Sequence, residues 1–196
     1  MKLSREDWLA SVASGMESWF KPLGVKIPKY RVSCGFPSKS ALARKQKRIG
    51  ECWSPSASTG DVHEIFVSPL LDDAVEVAQV LCHEMAHAFV GVEHGHKAPF
   101  VKACKLLGLE GKPTATVAGP LFVANVKPIL KAVGKYPHKR MDPAQAEKKQ
   151  TTRMLKVVCM TSVEDGDAYI VRMSAKALEI GVPTCPCHGN PMEAAA

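Results

Sequence analysis

Three polar residues, His83, Glu84 and His87, interrupt an otherwise apolar stretch of the sequence. The two histidines are four residues apart, so on a helix their Cβ atoms lie about 5–6 Å apart on one face. That separation lets both imidazoles bind one metal ion at the roughly 2.0–2.1 Å of a zinc–nitrogen bond. Glu84 is turned about 100° around the helix from His83, so its carboxylate points beside the ion and could take a proton from a bound water.

These residues form the HExxH arrangement of zinc peptidases. The alternative is that both histidines lie in a core without metal and bond to nearby carbonyl groups. The motif arises by chance in about one or two chains per hundred of this length and composition. Because unpaired polar groups in an apolar core cost several kcal/mol each, the apolar surroundings favour the metal site.

A zinc ion bound by two histidines and a water needs one more protein ligand. In thermolysin-like enzymes a glutamate from a following helix supplies it, and Glu110 is the only carboxylate at a plausible distance. The metzincin spacing would use Glu93 and would require glycine at Val90, so the sequence does not follow that pattern.

The segment after the helix offers a histidine as the third ligand. Gly91 and Gly95 can end the helix and turn the chain back, which would bring His94 or His96 to the ion. Of the two, His96 has the better geometry, because Phe100 on a second helix could pack against the first helix.

The two motifs in this segment, HEMAH and then GHKAPF, resemble those of the SprT-like, or Spartan-type, zinc metallopeptidases. The resemblance implies that His83, His87 and His96 bind a catalytic Zn²⁺. It leaves His94 as a bystander and implies that Glu84 is the general base of a zinc endopeptidase. It also implies that the substrates are proteins bound to or near DNA.

Local patterns predict the elements that must position these residues. Asp72 and Asp73 can cap the HExxH helix, which runs without glycine or proline up to Gly91. A capped helix with apolar residues at helical spacing is predicted from Ser4 to Phe20. Strands are predicted at Tyr30–Gly35, Ile49–Trp53 and Glu64–Ser68.

The predicted fold class is α+β, with a small zincin-like metallopeptidase core. That core consists of the N-terminal helix, a three-stranded sheet and the HExxH helix. Residues 111–128 are rich in Gly, Pro, Thr and Ala, and Leu121, Phe122 and Val123 could form a packed segment within them. Residues 128–133 are expected to add one or two helical turns.

Residues 151–196 are predicted to form a separate module after a metallopeptidase domain of residues 1–150, with the boundary in a polar linker. Strand-like segments at 155–159 and 169–172 predict a β-hairpin, and residues 185–189 predict a tight knuckle. This module resembles the zinc ribbon that follows the peptidase core in many SprT-like proteins, including phage-encoded ones.

A zinc ribbon needs four thiolate or imidazole ligands, usually from two knuckles. The first knuckle is degenerate here, because Ser162 stands where its second cysteine would be. The residues that could still bind a second, structural zinc are Cys159, Cys185, Cys187 and His188. Adjacent Cys187 and His188 would be strained as joint ligands, and the alternative is a hairpin that folds without metal.

Positive charge is concentrated in the first 150 residues. The formal net charge is +7, and residues 151–196 carry four basic and five acidic side chains, so residues 1–150 carry +8. A basic run between residues 38 and 50 could be a solvated surface or a patch that contacts DNA phosphates. No aromatic residue lies between these charges to stack on bases, so base-specific reading is not expected. The basic residues of the run are Lys39, Arg44, Lys45, Lys47 and Arg48.

The N-terminal segment and the cysteines bear on where the protein works. The first eight residues, MKLSREDW, have charges where a signal peptide needs its apolar stretch. No run approaches the ~18 apolar residues that cross a bilayer. Seven cysteines, an odd number spread through apolar segments, argue against a secreted disulfide framework. We therefore expect a cytoplasmic protein without membrane contact, nucleoid-associated or acting in a phage-infected host.

A second hypothesis, of another class, is a non-catalytic DNA- or protein-binding module whose HExxH zinc site is structural. It requires four protein ligands around the ion, with Glu110 or Glu93 as the fourth. A third hypothesis is a regulatory metallopeptidase that cuts one dedicated partner. Oligomeric state and natural substrate have no signal in the sequence.

Overall fold

The computed structural model describes residues 3–145, 154–164 and 166–195. The chain divides into two compact units, residues 1–144 and 145–196. Both units mix helices with small sheets, which confirms the α+β class at the coarse level. The predicted domain boundary at residue 150 lies within residues 146–153, outside the described residues.

The first unit contains four α-helices and five β-strands among its described residues. In chain order they are α1 (Arg5–Phe20), β1 (Tyr30–Cys34), β2 (Gly50–Trp53), β3 (His63–Val67), α2 (Ala74–Val90), α3 (Ala98–Leu106), β4 (Leu109–Lys112), β5 (Ala115–Ala118) and α4 (Pro120–Val133). The predicted N-terminal helix, the three predicted strands and the HExxH helix are confirmed to within one or two residues.

Helix α1 begins at a capping box. The Ser4 hydroxyl accepts from the Asp7 backbone N–H at 3.0 Å, and the Asp7 carboxylate accepts from the Ser4 backbone N–H at 3.2 Å. These bonds satisfy N–H groups that have no partner inside the helix. One face of the helix, including Trp8 and Phe20, is fully buried, and the helix packs on β1, α2 and α4.

The central sheet of the first unit has the order β1-β3-β2. Strand β1 is parallel to β3, and β2 is antiparallel to it. Alternate residues of β3, namely His63, Ile65 and Val67, are buried beneath the helices, as the two-residue period of a strand requires. Strand β2 is an edge strand of this sheet, and it lies next to α2.

Helix α2 is the most buried element of the first unit. It begins at Asp73, whose carboxylate accepts from the Glu76 backbone N–H at 2.9 Å. It packs on the central sheet through β2 and β3, and it also contacts α1, α3 and α4. The helix ends at Gly91, which has a φ of +96°, a conformation that side chains disfavour.

Residues 111–128, where the sequence indicated only a packed segment at 121–123, form regular structure. Strands β4 and β5 form an antiparallel hairpin there, and α4 begins at Pro120, where the missing N–H costs nothing. Phe122 and Val126 are fully buried at helical spacing. Pro128 lies inside α4, so packing on α1 and α2 outweighs the low helix propensity of proline.

The second unit is a small three-stranded antiparallel sheet with two short helices. Its elements are β6 (Leu155–Val158), α5 (Met160–Glu164), β7 (Ile170–Met173), α6 (Ala175–Ile180) and β8 (Glu193–Ala194). The predicted pairing of the first two strands is confirmed, although α5 lies between them. Its small buried core consists of Val157, Cys159, Cys185 and Met192.

Candidate metal centre

Three imidazole rings converge between α2 and the segment that follows it. His83 and His87 lie on consecutive turns of α2, and His96 reaches them from the chain between α2 and α3. The Nε2 atom of His96 lies 3.3 Å from Nε2 of His87 and 3.4 Å from Nε2 of His83. These three residues form a group that could hold a metal ion.

The spacing of these atoms fits zinc closely. In a tetrahedral site with zinc–nitrogen bonds of about 2.0–2.1 Å, two ligand nitrogens lie about 3.3–3.4 Å apart. The two Nε2–Nε2 distances to His96, 3.3 and 3.4 Å, match this value. Because the same ring nitrogen of each histidine faces the group, the donor set is three imidazoles around one point.

Phe100 holds the rings in place from α3. Its side chain is fully buried and stacks on His87, with ring centroids 4.0 Å apart and an interplanar angle of 19°. It also makes edge contacts with His83 at 4.8 Å and with His96 at 5.0 Å. One aromatic side chain therefore packs against all three imidazoles.

The imidazoles are held in the neutral form. Burial lowers the pKa of His83 to about 4 and the pKa of His87 to about 3, and it also lowers the pKa of His96. A metal binds the unprotonated ring nitrogen, so neutral imidazoles are ready to act as ligands near pH 7.

Glu84 lies beside the three histidines and is 6% exposed. Burial raises the pKa of its carboxyl to about 8, while the nearby Arg48 guanidinium acts to lower it. The carboxyl packs against the start of β2, where a Cβ on Gly50 would collide with Glu84 Oε1 and lie 2.7 Å from Val80 Cγ1. Only glycine at this position leaves room for the carboxyl.

The histidines and Glu84 line a cleft of about 780 Å³. One wall is the edge strand β2 with the residues that precede it, among them Lys47 and Arg48. The β4–β5 hairpin contributes Thr114, Ala115 and Thr116 to the lining, and α2 contributes Gln79, Val80, His83, Glu84 and His87. The cleft is thus lined by α2 together with residues of β2 and of the hairpin.

Two residues of the site had not been singled out from the sequence. Thr116 Oγ1 lies 2.8 Å from His83 Nδ1, and Gln79 Nε2 donates to Thr116 Oγ1 at 3.0 Å. Gln79 precedes His83 by one helical turn, which is a local signal. Thr116 is 33 residues from His83, in a segment rich in Gly, Pro, Thr and Ala, and has no local signal.

The other ligand candidates lie outside the group. Among the described residues, neither Glu93 nor Glu110 belongs to the three-histidine group. The Glu93 side chain is 73% exposed and approaches His94 Nε2 at 3.8 Å. Glu110 is exposed on β4, opposite Val117.

All five basic residues of the run between β1 and β2 are exposed. Arg48 Nη1 donates to Glu51 Oε1 at 2.6 Å, which fixes its side chain at the rim of the cleft, and Lys47 lies beside it. The segment contains no helix or strand. The remaining residues of the run are Lys39, Arg44 and Lys45.

The second unit contains a second group that could hold a metal ion, formed by Cys159, Cys185 and His188. His188 Nδ1 lies 3.5 Å from Cys159 Sγ and 3.6 Å from Cys185 Sγ. A tetrahedral zinc with sulfur at about 2.3 Å and nitrogen at about 2.0–2.1 Å places them about 3.6 Å apart. Cys187 is exposed and lies outside this group, so the structure brings three of the four predicted residues together.

Ser162 closes the first knuckle by hydrogen bonding. Its buried hydroxyl donates to the Cys159 carbonyl and accepts from the Tyr169 backbone N–H, both at 2.8 Å. The Ser162 backbone N–H also lowers the pKa of the Cys159 thiol, which favours the thiolate form that binds metals. The serine thus keeps the knuckle shape where a second cysteine is missing.

Comparisons with protein-family models, curated proteins and solved structures found no match for this chain. Among the described residues, no helix is both long enough and apolar enough to cross a membrane. The features that point to a function are the two groups that could hold a metal ion and the cleft.

Proposed function

We propose that this chain is a zinc-dependent endopeptidase of the SprT-like type, with residues 1–144 as its zincin-like catalytic core. The single observation that carries the proposal is the convergence of three Nε2 atoms at zinc-like spacing with the buried Glu84 carboxyl beside them. A three-imidazole set leaves the fourth zinc position for water, which is the pattern of catalytic rather than structural sites.

When bound, zinc supplies Lewis acidity and lowers the pKa of water at its open position to about 7. Glu84 takes the proton from the attacking water and passes it to the leaving amine. Burial raises the pKa of this carboxyl to about 8, and a divalent cation nearby favours the ionised carboxylate that a general base requires.

The position of β2 supports a peptide substrate. Edge strands bind extended peptides by adding them to the sheet through backbone hydrogen bonds. Residues 50–52 of this edge strand line the cleft beside the histidines. A peptide added along β2 runs past the metal group, with its carbonyl groups within reach of the chemistry.

The test of the mechanism is Glu84→Gln, which removes the base and keeps the shape. The variant should bind zinc and fold like the wild type while peptide cleavage falls about 10²–10⁴-fold, the usual contribution of a general base. Cleavage is measured by mass spectrometry on a peptide library and on a DNA-bound protein. Glu93→Gln, a change at an exposed carboxylate, is the matched control and should cleave normally.

Undiminished turnover by Glu84→Gln would overturn the mechanism. A zinc-loaded wild type that cleaves neither substrate would overturn the peptidase assignment in favour of a non-catalytic binding module. That module needs a fourth protein ligand at the zinc, and among the described residues no carboxylate joins the three histidines.

We propose that the protein substrates are bound to or near DNA. The support is the +8 charge of the first 150 residues and the exposed basic run at the rim of the cleft. Contacts to phosphates make binding fall with salt, with a slope of about 0.9 for each phosphate neutralised.

DNA binding is tested on a triple glutamine variant of Lys39, Arg44 and Lys45. The slope of log affinity against log salt should become shallower by about 0.9 for each phosphate that the variant no longer neutralises, with no change in base preference. The matched control carries the same charge change on exposed lysines elsewhere, namely Lys127, Lys131 and Lys135. If the slope of log affinity against log salt is equal in both triple variants, the basic run is not the DNA-binding surface.

We also propose that Cys159, Cys185 and His188 bind a second, structural zinc. The support is the match of the two sulfur–nitrogen distances, 3.5 and 3.6 Å, to zinc geometry. This site would stabilise the small second unit, whose buried core holds only a few residues, as zinc does in other small domains.

A further inference from the structure

The hydrogen-bond partners of His83 form a chain across the cleft. Gln79 Nε2 donates to Thr116 Oγ1 at 3.0 Å, and the same oxygen lies 2.8 Å from His83 Nδ1. Gln79 and His83 are on α2, whereas Thr116 is on β5 of the hairpin. The hydroxyl of one residue thus connects two turns of the helix to the hairpin.

The proton positions follow from metal binding. A neutral imidazole carries one proton, and His83 Nε2 must be unprotonated to act as a ligand. The proton therefore lies on Nδ1, which donates to Thr116 Oγ1. A hydroxyl oxygen has two lone pairs, so it accepts from Gln79 and from His83 at the same time.

We infer that Thr116, held by Gln79, is the positioning residue that orients His83 towards the metal. The inference rests on the proposed zinc centre and extends it to a residue that no ligand motif contains. Outer hydrogen-bond partners fix the tautomer and ring angle of histidine ligands, and losing one costs about 10–100-fold in metal affinity.

The other two ligands show why this hydrogen bond matters. His87 is stacked on Phe100, and burial restricts its ring. His83 makes only an edge contact with Phe100, so packing leaves its ring freer to rotate about χ2. The hydrogen bond to Thr116 supplies the orientation that stacking supplies for His87.

The placement of Thr116 gives the β4–β5 hairpin a role in the site. In the β5 register, Thr116 lies opposite Gly111 of β4, and this glycine has a φ of +87°. The hairpin brings Thr116 over α2, so the ligand geometry of His83 depends on a segment far away in the chain. Disturbing the hairpin is expected to loosen the metal without altering any ligand.

The test compares Thr116→Val, which keeps the shape and removes the hydroxyl, with Thr116→Ser, which keeps the hydroxyl. Zinc affinity is measured by competition with a fluorescent chelator on the full chain carrying Cys185→Ser, so that only the three-histidine group is titrated. Thr116→Val should bind zinc about 10–100-fold more weakly, and Thr116→Ser should stay close to the reference. Thr114→Val, a change at an exposed residue nearby, should also leave the affinity unchanged.

A second measurement separates orientation from general stability. In the zinc-loaded reference protein the His83 Nδ1–H should give an NMR signal protected from solvent exchange, and Thr116→Val should lose that protection. Because this signal reports on the His83 proton itself, it separates lost orientation from any stability that Thr116→Val loses by leaving the Gln79 and His83 donors unpaired. If Thr116→Val does not fold, Gln79→Met tests the same chain and should weaken zinc binding in the same direction.

The outcomes distinguish this inference from the function on which it rests. A reference protein that binds zinc, with equal affinity in Thr116→Val, would overturn the role of Thr116 and leave the zinc centre standing. A reference protein that binds no zinc would overturn the zinc centre and the role of Thr116 with it. Equal weakening by the serine and valine variants would also overturn the role of the hydroxyl.

Discussion

The chemistry of the first unit depends on the protonation of a few buried groups. Burial keeps His83 and His87 neutral by lowering their pKa values to about 4 and about 3. Burial also raises the pKa of Glu84 to about 8. In each case burial disfavours the charged form of the group in the metal-free protein. A bound cation would be coordinated by the neutral histidines and would favour the ionised form of Glu84.

The neutral histidines predict acid lability of the metal-free protein. The unfolded chain takes up protons at a pKa of about 6.5, above the folded values of about 4 and about 3. The free energy of unfolding should therefore keep its full value above pH 6.5 and should decrease as the pH drops towards 4. The slope from each group approaches about 1.4 kcal/mol per pH unit.

Urea denaturation of chelator-treated protein between pH 7.5 and pH 4.5 measures this slope. The double variant His83→Gln, His87→Gln is the control, because it lacks both titrating groups and should show a shallower dependence. An equal pH dependence in the two proteins would contradict the assignment of the lability to these histidines.

Gly50 predicts a second residue-level effect. A Cβ at this position would collide with the Glu84 carboxyl and with Val80 Cγ1. Gly50→Ala should therefore displace Glu84 and cost about 1–3 kcal/mol of stability, as overpacking does. Because the three histidines are not touched, zinc affinity should stay near the wild-type value while peptide cleavage is lost.

Zinc titration, denaturation and peptide cleavage are measured on the same preparation. Gly35→Ala is a control in the neighbouring strand region, where a Cβ would meet Phe66 Cδ1 at 3.2 Å but not Glu84. Full cleavage by Gly50→Ala would show that the carboxyl does not need its observed position against β2.

At the scale of elements, α2 carries His83, Glu84 and His87, and the turn after it carries His96, the third member of the group that could hold a metal ion. Gly91 ends the helix at a φ of +96°, and Gly95 follows at +49°. These two residues let the chain reverse and bring His96 back over α2. Phe100 then fixes the start of α3 against the rings.

Gly91→Ala should test how strongly this turn controls the third ligand. A non-glycine residue at positive φ costs about 1–3 kcal/mol, and the strain is relieved by shifting the turn that carries His96. We expect zinc affinity to fall about tenfold, which corresponds to about 1.4 kcal/mol.

Gly134→Ala is the matched control for this change. Gly134 ends α4 at a φ of +95°, so alanine there carries similar backbone strain, and it is not part of the metal group. It should lose similar stability and keep zinc affinity. Equal zinc affinity in the two variants, measured by chelator competition, would show that the turn at Gly91 does not control ligand placement.

At the scale of the whole molecule, each unit contains its own group of side chains that could hold a metal ion. The prediction is two zinc ions per chain, because both groups have zinc-like ligand spacing. His96→Ala should retain one zinc, in the second unit, and Cys185→Ser should retain one, in the first. Elemental analysis of purified protein after dialysis measures the number of ions.

Chelation should also lower the melting temperature of the wild type, since a ligand that binds only the folded form stabilises it. At a free zinc concentration 100 times the dissociation constant, this amounts to about 2.7 kcal/mol. One zinc in the wild type and none in His96→Ala would show that the second unit folds without metal.

The sequence by itself determined the local parts of this protein. The cap at Asp73, the apolar pattern of α2 and the four-residue spacing of His83 and His87 are all short-range features. Helix geometry converts that spacing directly into a shared face, and the capping box of α1 is a four-residue pattern. For the same reason the three strands of the central sheet could be predicted, whereas their order could not.

Only the tertiary structure decided which distant residues meet this helix. It brought His96 to the group rather than Glu93 or Glu110, and placed Thr116 and Gly50 against His83 and Glu84. These contacts join residues from different elements, and a local sequence pattern does not show which distant residues come together.

The same reason explains two outcomes that composition and motifs did not predict. Residues 111–128 form a hairpin and a helix because Phe122 and Val126 find a core to pack in, which overrides the turn-like composition. Cys187 lies outside the second group because its side chain is exposed, whereas the Cys159 and Cys185 thiols are buried and approach the exposed His188 ring. In both cases packing between distant segments, rather than residue type, determined the outcome.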